Sequence, residues 1–239
     1  MYVGVDGCPA GWFAVLLDDE GDWQVRVFGD IRALWRECRD AELILIDIPI
    51  GLRERGKEER LCDREARDIL KPVKRYSTVF PAPCRSALMA SSYREACSIN
   101  RARTGRALSK QCWAIAPKIK QVDDLLMETG AQGRICEIHP EICFWALAGM
   151  QPMANPKREK DGMHERLQVL NRVYGRTPEV LAEAVTTWPH GKVAPDDVLD
   201  ALAAALTAYL GHGKLRTLPA EPEIDERGLP MEMVYLAPQ

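Results

Sequence analysis

Four acidic residues of this chain stand where hydration alone explains little. Asp6 lies in the apolar stretch "YVGVDG", Asp47 ends "LILID", and Asp197 and Asp200 open "DDVLDALAAALTAY". Glu137, in "ICEI", is a fifth. No Lys or Arg neighbours any of the five in sequence. Carboxylates crowded away from water repel one another, so they either take up protons or bind cations. An all-oxygen donor set of this kind suits a hard divalent ion, Mg²⁺ or Mn²⁺. Taken singly, each acid has a plainer reading. Asp6 and Asp47 can be turn residues at strand ends. Asp196 and Asp197 can cap a helix and complement its dipole. Asp200 resists that reading. It follows Asp197 by three residues, so the two share one helix face about 5–6 Å apart. That face continues through Ala201, Ala204 and Ala208, while Val198, Leu202, Leu206 and Tyr209 form the other. A helix with no solvated face packs on both sides, and its aspartates then point inward.

The elements that must position these acids follow from hydropathy. "YVGVDG", "WFAVLLD" and "WQVRVFG" read as three strands separated by the turns "CPAG" and "DEGD", a three-stranded antiparallel meander. "DIRALWRECRD" reads as a helix with Asp30 as N-cap. "AELILIDIPIG" is nearly all apolar, as expected of a parallel strand buried on both faces. Residues 52–130 hold Pro72, Pro81, Pro83 and Pro117 among helical patterns and read as a helical insertion, with a helix from Pro117 to Gly130. "GRICEIHP" is a short strand. Helices are expected over "EICFWALAG", "GMHERLQVLNRVYG", "TPEVLAEAVTTW" and from Pro195 to about Leu210. The tail "DERGLPMEMVYLA" reads as a hairpin or edge strand. The expected class is α/β: a mixed five-stranded sheet, meander plus parallel strands, flanked by helices. Residues 1–239 form one domain in this reading, with the insertion inside it.

Composition narrows the setting. At 46% hydrophobic the 239 residues can bury a sizeable core, and no apolar run reaches the roughly 18 residues of a membrane span. The opening "MYVGVDGCPAGW" shows no basic region followed by an apolar stretch, so no signal peptide is expected. Eight scattered cysteines form no CxxC pair and read as reduced thiols of a cytoplasmic protein. The spacing of Cys136, His139 and Cys143 matches no zinc signature. The formal net charge of −3 conceals an asymmetry. Residues 53–120 hold 17 Lys and Arg against 7 Asp and Glu, with Tyr76, Phe80, Tyr93 and Trp113 interleaved. A basic segment beside an acidic remainder points to a polyanion. Lys118, Arg85, Arg101, Arg103 and Arg106 are candidate phosphate contacts, with His139 a further candidate substrate contact, and solvated helices paired with the acidic remainder are the plainer alternative.

These features together resemble a ribonuclease H-like fold, in which an acid in the first strand and an acid ending the fourth lie near an acidic helix. "DDVLDALAAALTA" resembles the last catalytic helix of the Holliday-junction resolvase branch, where a D-x-x-D-A-L-A pattern holds metal. The chain as a whole resembles a domain-of-unknown-function family of predicted ribonuclease H-like nucleases. The resemblance runs in order through "GVDGCPAGW", "IDIPIGL", "CDREARDIL", "STVFPAP", "SKQCWAIAPKI", "CEIHPEICF", "DDVLDALAAALTA" and "DERGLPMEMVY". It implies that Asp6 and Asp47 are the strand acids and that Asp197 and Asp200 are the helix pair. Glu137 joins His139 and Glu141 in "EIHPE", a motif of the family without a derived role. An Asp at position 47, where the resolvases have Glu, and the basic insertion both depart from the resolvase pattern.

Such a site implies phosphodiester hydrolysis with two metal ions about 3.5–4 Å apart, Asp6 bridging them, Asp47 holding one and Asp197 or Asp200 the other. The implied partner is nucleic acid, DNA or RNA, including single-stranded or branched forms; a homodimer is open and no membrane is involved. Two other readings compete. The "GVDG" opening also occurs in the actin and sugar-kinase ATPases, which would make this an ATP-binding phosphotransferase. A non-catalytic nucleic-acid-binding protein on the same fold is the third.

Overall fold

A computed structural model describes residues 1–189 and 191–238. In chain order the elements are β1 (Tyr2–Cys8), β2 (Gly11–Leu17), β3 (Trp23–Phe28), α1 (Ile31–Cys38), β4 (Leu43–Ile46), α2 (Leu61–Leu70), α3 (Tyr93–Thr104), α4 (Lys110–Thr129), β5 (Ile135–Glu137), α5 (Pro140–Leu147), α6 (Lys160–Val173), α7 (Thr177–Thr187), α8 (Pro195–Leu210), β6 (Leu215–Ile224) and β7 (Pro230–Leu236). Two compact units divide the chain. The first comprises Met1–Asp47, Ala131–Arg216 and the residues from Val234; the second comprises Ile48–Gly130 and Thr217–Met233.

The first unit is built on a five-stranded mixed sheet of order β3-β2-β1-β4-β5. The first three strands are antiparallel, and β1, β4 and β5 are parallel. Asp30 caps α1 as expected, its carboxylate accepting from the Ala33 amide at 2.8 Å. One face of the sheet carries Phe13, Val15, Leu17 and Leu45, which share a core with buried residues of α5, α6, α7 and α8. Helix α8 is buried without interruption from Val198 to Ala208. Its alanines let it lie directly on β1. A Cβ at Gly4 would stand 2.1 Å from both the Ala201 carbonyl and the Ala205 amide, so only glycine admits this approach.

Strands β6 and β7 form a two-stranded sheet, so the strand expected in the tail has a partner that the sequence did not announce. Helix α4 begins at Lys110 rather than Pro117. Ser109 caps it, accepting from the Cys112 amide at 3.0 Å, and Pro117 lies inside the helix. A proline costs a helix one bond; a good cap and 20 residues of helix offset it. The helix ends as expected at Gly130, in the left-handed conformation.

Candidate metal centre

Strand periodicity and the Gly4 contact together place the acids. Side chains two apart on a strand share a face, so Asp6 follows Gly4 on the face that α8 covers. The pairing Gly4↔Leu45 puts Leu45 on that face too. The Asp47 amide donates to the Val5 carbonyl at 3.0 Å, which continues the β1–β4 ladder and brings Asp47 beside Asp6. On α8, Asp200 immediately precedes Ala201, one of the residues against Gly4. Three segments far apart in sequence therefore deliver carboxylates to one place. Asp6 and Asp200 are buried, and Asp47 and Asp197 partly so.

Burial and one another's charges set their electrostatics. Burial raises the Asp6 carboxyl well above its ordinary range, and the charges of Asp47 and Asp200 raise it further. Burial, then the charge of Asp200, pushes Asp47 up to about 7. Burial also raises Asp200, against the opposing pull of Lys157. Asp197 is raised by burial and held down in part by its hydrogen bond from the Ala194 amide, at 2.9 Å. That bond closes the first turn of α8, so Asp197 combines a capping role with membership of the cluster.

The hydrogen bonds of the acids are few. Asp6 Oδ1 accepts from the Gly7 amide at 2.7 Å. Asp200 Oδ2 accepts from the Lys157 ammonium. Asp200 Oδ1 is buried with no hydrogen-bond partner. A carboxylate oxygen left so is costly, on the order of 1–3 kcal/mol or more for a charged group. Lys157, in "NPKRE" before α6, also lies 3.7 Å from Asp196. The sequence carries no signal for this lysine, because an irregular loop has no period.

Glu137 belongs to the other face. It pairs with Ile46, which pairs with Val5, and these three alternate with the residues that α8 covers. Its charge still raises Asp47, so it adds to the field of the cluster from across the sheet. The "EIHPE" motif has a local account. His139 is the N-cap of α5, Nδ1 accepting from the Glu141 amide at 3.2 Å, and Pro140 occupies the first turn. Glu141 is buried and accepts from Arg166 Nη2 at 2.6 and 2.8 Å. Both Asp47 and Asp200 feel the charge of Glu141.

The basic candidates lie in the second unit. Arg85 is buried there at the centre of an ion network. It donates to Asp123 at 3.0 Å, to the Leu52 carbonyl at 3.2 Å and to Asp225. Burial would raise Asp225, but Arg85 and the amides of Leu229, Leu52 and Arg227 outweigh it and hold the carboxyl low. Arg85 thus has a structural place. Arg103 pairs with Glu54 at 2.9 Å, and Arg106 pairs with Glu59. Arg101 is exposed beside Tyr93, Arg94 and Cys97. Lys118 is partly buried on α4.

An α/β fold whose mixed sheet and one inward helix gather carboxylates at adjacent strand ends defines the class of protein. Within it, the chain belongs to the family described as "Protein of unknown function (DUF429)", whose model matches residues 4–224 and so includes the whole acid cluster. No curated protein and no solved structure matches the chain. Among the described residues no helix is long and apolar enough to cross a membrane. All eight cysteines are thiols outside any disulfide.

Proposed function

We propose that the first unit is a ribonuclease H-like, metal-dependent phosphodiesterase acting on nucleic acid. The observation that carries this reading is the convergence of Asp6, Asp47 and Asp200, with Asp197 at the rim, around a buried Asp200 oxygen that has no protein partner. The donor chemistry fits Mg²⁺ or Mn²⁺: all the donors are carboxylate oxygens, among the described residues they outnumber the one cation in the cluster, and burial first, then their charges on one another, make them hold protons abnormally tightly. The strand order and the antiparallel-then-parallel pairing support the ribonuclease H-like assignment.

Asp6, Asp47 and Asp200 would hold the metal, with the Asp197 oxygen not engaged in capping as a further donor. Bound divalent ions supply an activated water and neutralise charge on the leaving oxygen. The chain contributes the rest. The sheet fixes Asp6 and Asp47 at adjacent positions. Helix α8 fixes Asp200 through the Gly4 contact, and the apolar floor of Leu45 and α8 helps bury Asp6 and Asp200. The direct test is hydrolysis of labelled single-stranded, branched and duplex DNA and RNA in Mn²⁺ or Mg²⁺. Cleavage that is lost in Asp6→Asn supports the reading. Absence of cleavage on all these substrates with either metal contradicts it.

A further inference from the structure

Among the described residues, the one cation inside the acid cluster is delivered by a built device. Lys157 sits on a strap, residues 154–159, that is tied to α6 at several points. Glu165 accepts from the amides of Ala154 and Asn155 at 2.8 and 3.0 Å. Arg166 Nη1 donates to the Asn155 carbonyl at 3.0 Å, while its Nη2 holds Glu141. The strap lies so close over α6 that a Cβ at Gly162 would stand 1.9 Å from the Pro156 carbonyl. The Lys157 side chain is 30% exposed, yet its ammonium reaches Asp200, whose side chain is 1% exposed. Its charge also acts on Asp6, Asp47 and Asp197. Arg158 adds a pairing with Asp196 at 3.8 Å. Loop cations that merely solvate a surface do not need an anchor of this kind.

We propose that Lys157 is the resident counter-ion of the metal-free cluster and that a divalent ion displaces it from Asp200, so that lysine and metal compete for one seat. The inference rests on the metal-site reading above. A single positive charge cannot neutralise four carboxylates, and it leaves Asp200 Oδ1 unsatisfied. A divalent ion brings twice the charge and accepts donation from several oxygens at once. An ammonium at Asp200 would oppose that ion through like charge. Displacement is open to the side chain because it is unbranched and reaches the cluster from a partly exposed position, whereas the strap backbone stays tied to α6.

The test compares Mn²⁺ binding to the full chain and to Lys157→Met by calorimetry, with no substrate present. Loss of the competitor is expected to tighten Mn²⁺ binding by about tenfold or more, which corresponds to about 1.4 kcal/mol. Binding by Lys157→Met alone also supports the competition. Equal or weaker binding by the variant overturns it while leaving the metal site standing. No Mn²⁺ binding by either protein overturns the site and the competition together. A second measurement needs no variant: amine labelling of Lys157 in the unaltered protein, read by mass spectrometry with and without Mn²⁺. Labelling is expected to rise with metal; unchanged labelling in protein that binds Mn²⁺ overturns displacement.

Discussion

Asp47 makes the cluster measurable in the absence of metal. Its carboxyl is pushed to about 7 in the fold, against an ordinary 3.8. Above pH 7 it is ionised both folded and unfolded. Between about 4 and 7 the folded state holds a proton that the unfolded state has lost. Stability therefore rises as pH falls through that window and levels off near pH 4. Lys157 acts outside the window: its raised folded value gives stability present below its ordinary 10.5 and lost on further rise. The metal-free protein is expected to melt several degrees higher at pH 5.5 than at pH 8, and Asp47→Asn is expected to flatten the difference. Equal melting temperatures for the parent at the two pH values would contradict the crowding of these acids. Asp6→Asn tests the same crowding from the sheet centre. It removes one charge and one metal oxygen, so the metal-free variant is expected to be at least as stable as the parent while its upward shift with Mn²⁺ shrinks. These residues were legible in sequence because each interrupts an apolar run. Lys157 was not, since its partner is 43 positions away and neither neighbour signals it. Arg85 was legible only as a charge: composition does not distinguish an arginine that meets phosphate from one buried against Asp123 and Asp225.

At the scale of the element, the seating of α8 on β1 decides whether the carboxylates meet. The helix and its inward aspartates could be read from the missing polar face. The strand that receives it could not, because a glycine in a strand reads as weakness until the backbone beneath it is seen. Gly4→Ala would drive a methyl group into the Ala201 carbonyl and the Ala205 amide. Overpacking against backbone of this kind is expected to destabilise by about 3 kcal/mol or more, a fall of roughly 6–12 °C in melting temperature for a chain of this size. A thermal melt checks it, and a loss under about 1 kcal/mol would mean that α8 is free to shift. Strands β1 to β4 and helix α1 follow the hydropathy pattern closely. Strand β6 escaped it because Pro219 and Pro222 break the alternation of "LRTLPAEPEI". Helix α4 extended past its expected start because the Ser109 cap outweighed Pro117.

Over the whole molecule, the charge asymmetry between segments has a mixed meaning. Much of the positive charge of residues 53–120 is spent within the second unit, in pairs such as Arg60–Asp63, Arg85–Asp123 and Arg103–Glu54. The exposed remainder includes Arg94 and Arg101 beside Tyr93, a surface that could meet a phosphate backbone in the proposed reading. Binding to single-stranded nucleic acid is expected to weaken steeply with salt. Charge reversal at Arg94 and Arg101 is expected to lower the affinity and to reduce the slope of log affinity on log salt by about 0.7 for each phosphate no longer neutralised. Fluorescence anisotropy at two or more salt concentrations measures both; an unchanged slope would take this surface out of the interface. The most direct measurement of the central claim is diffraction from crystals soaked in Mn²⁺, with anomalous signal collected at the manganese edge. The predicted result is a peak within bonding distance of Asp6, Asp47 and Asp200, with the Lys157 ammonium withdrawn from Asp200. A cluster without a peak at millimolar Mn²⁺, and Lys157 still bonded to Asp200, would contradict it.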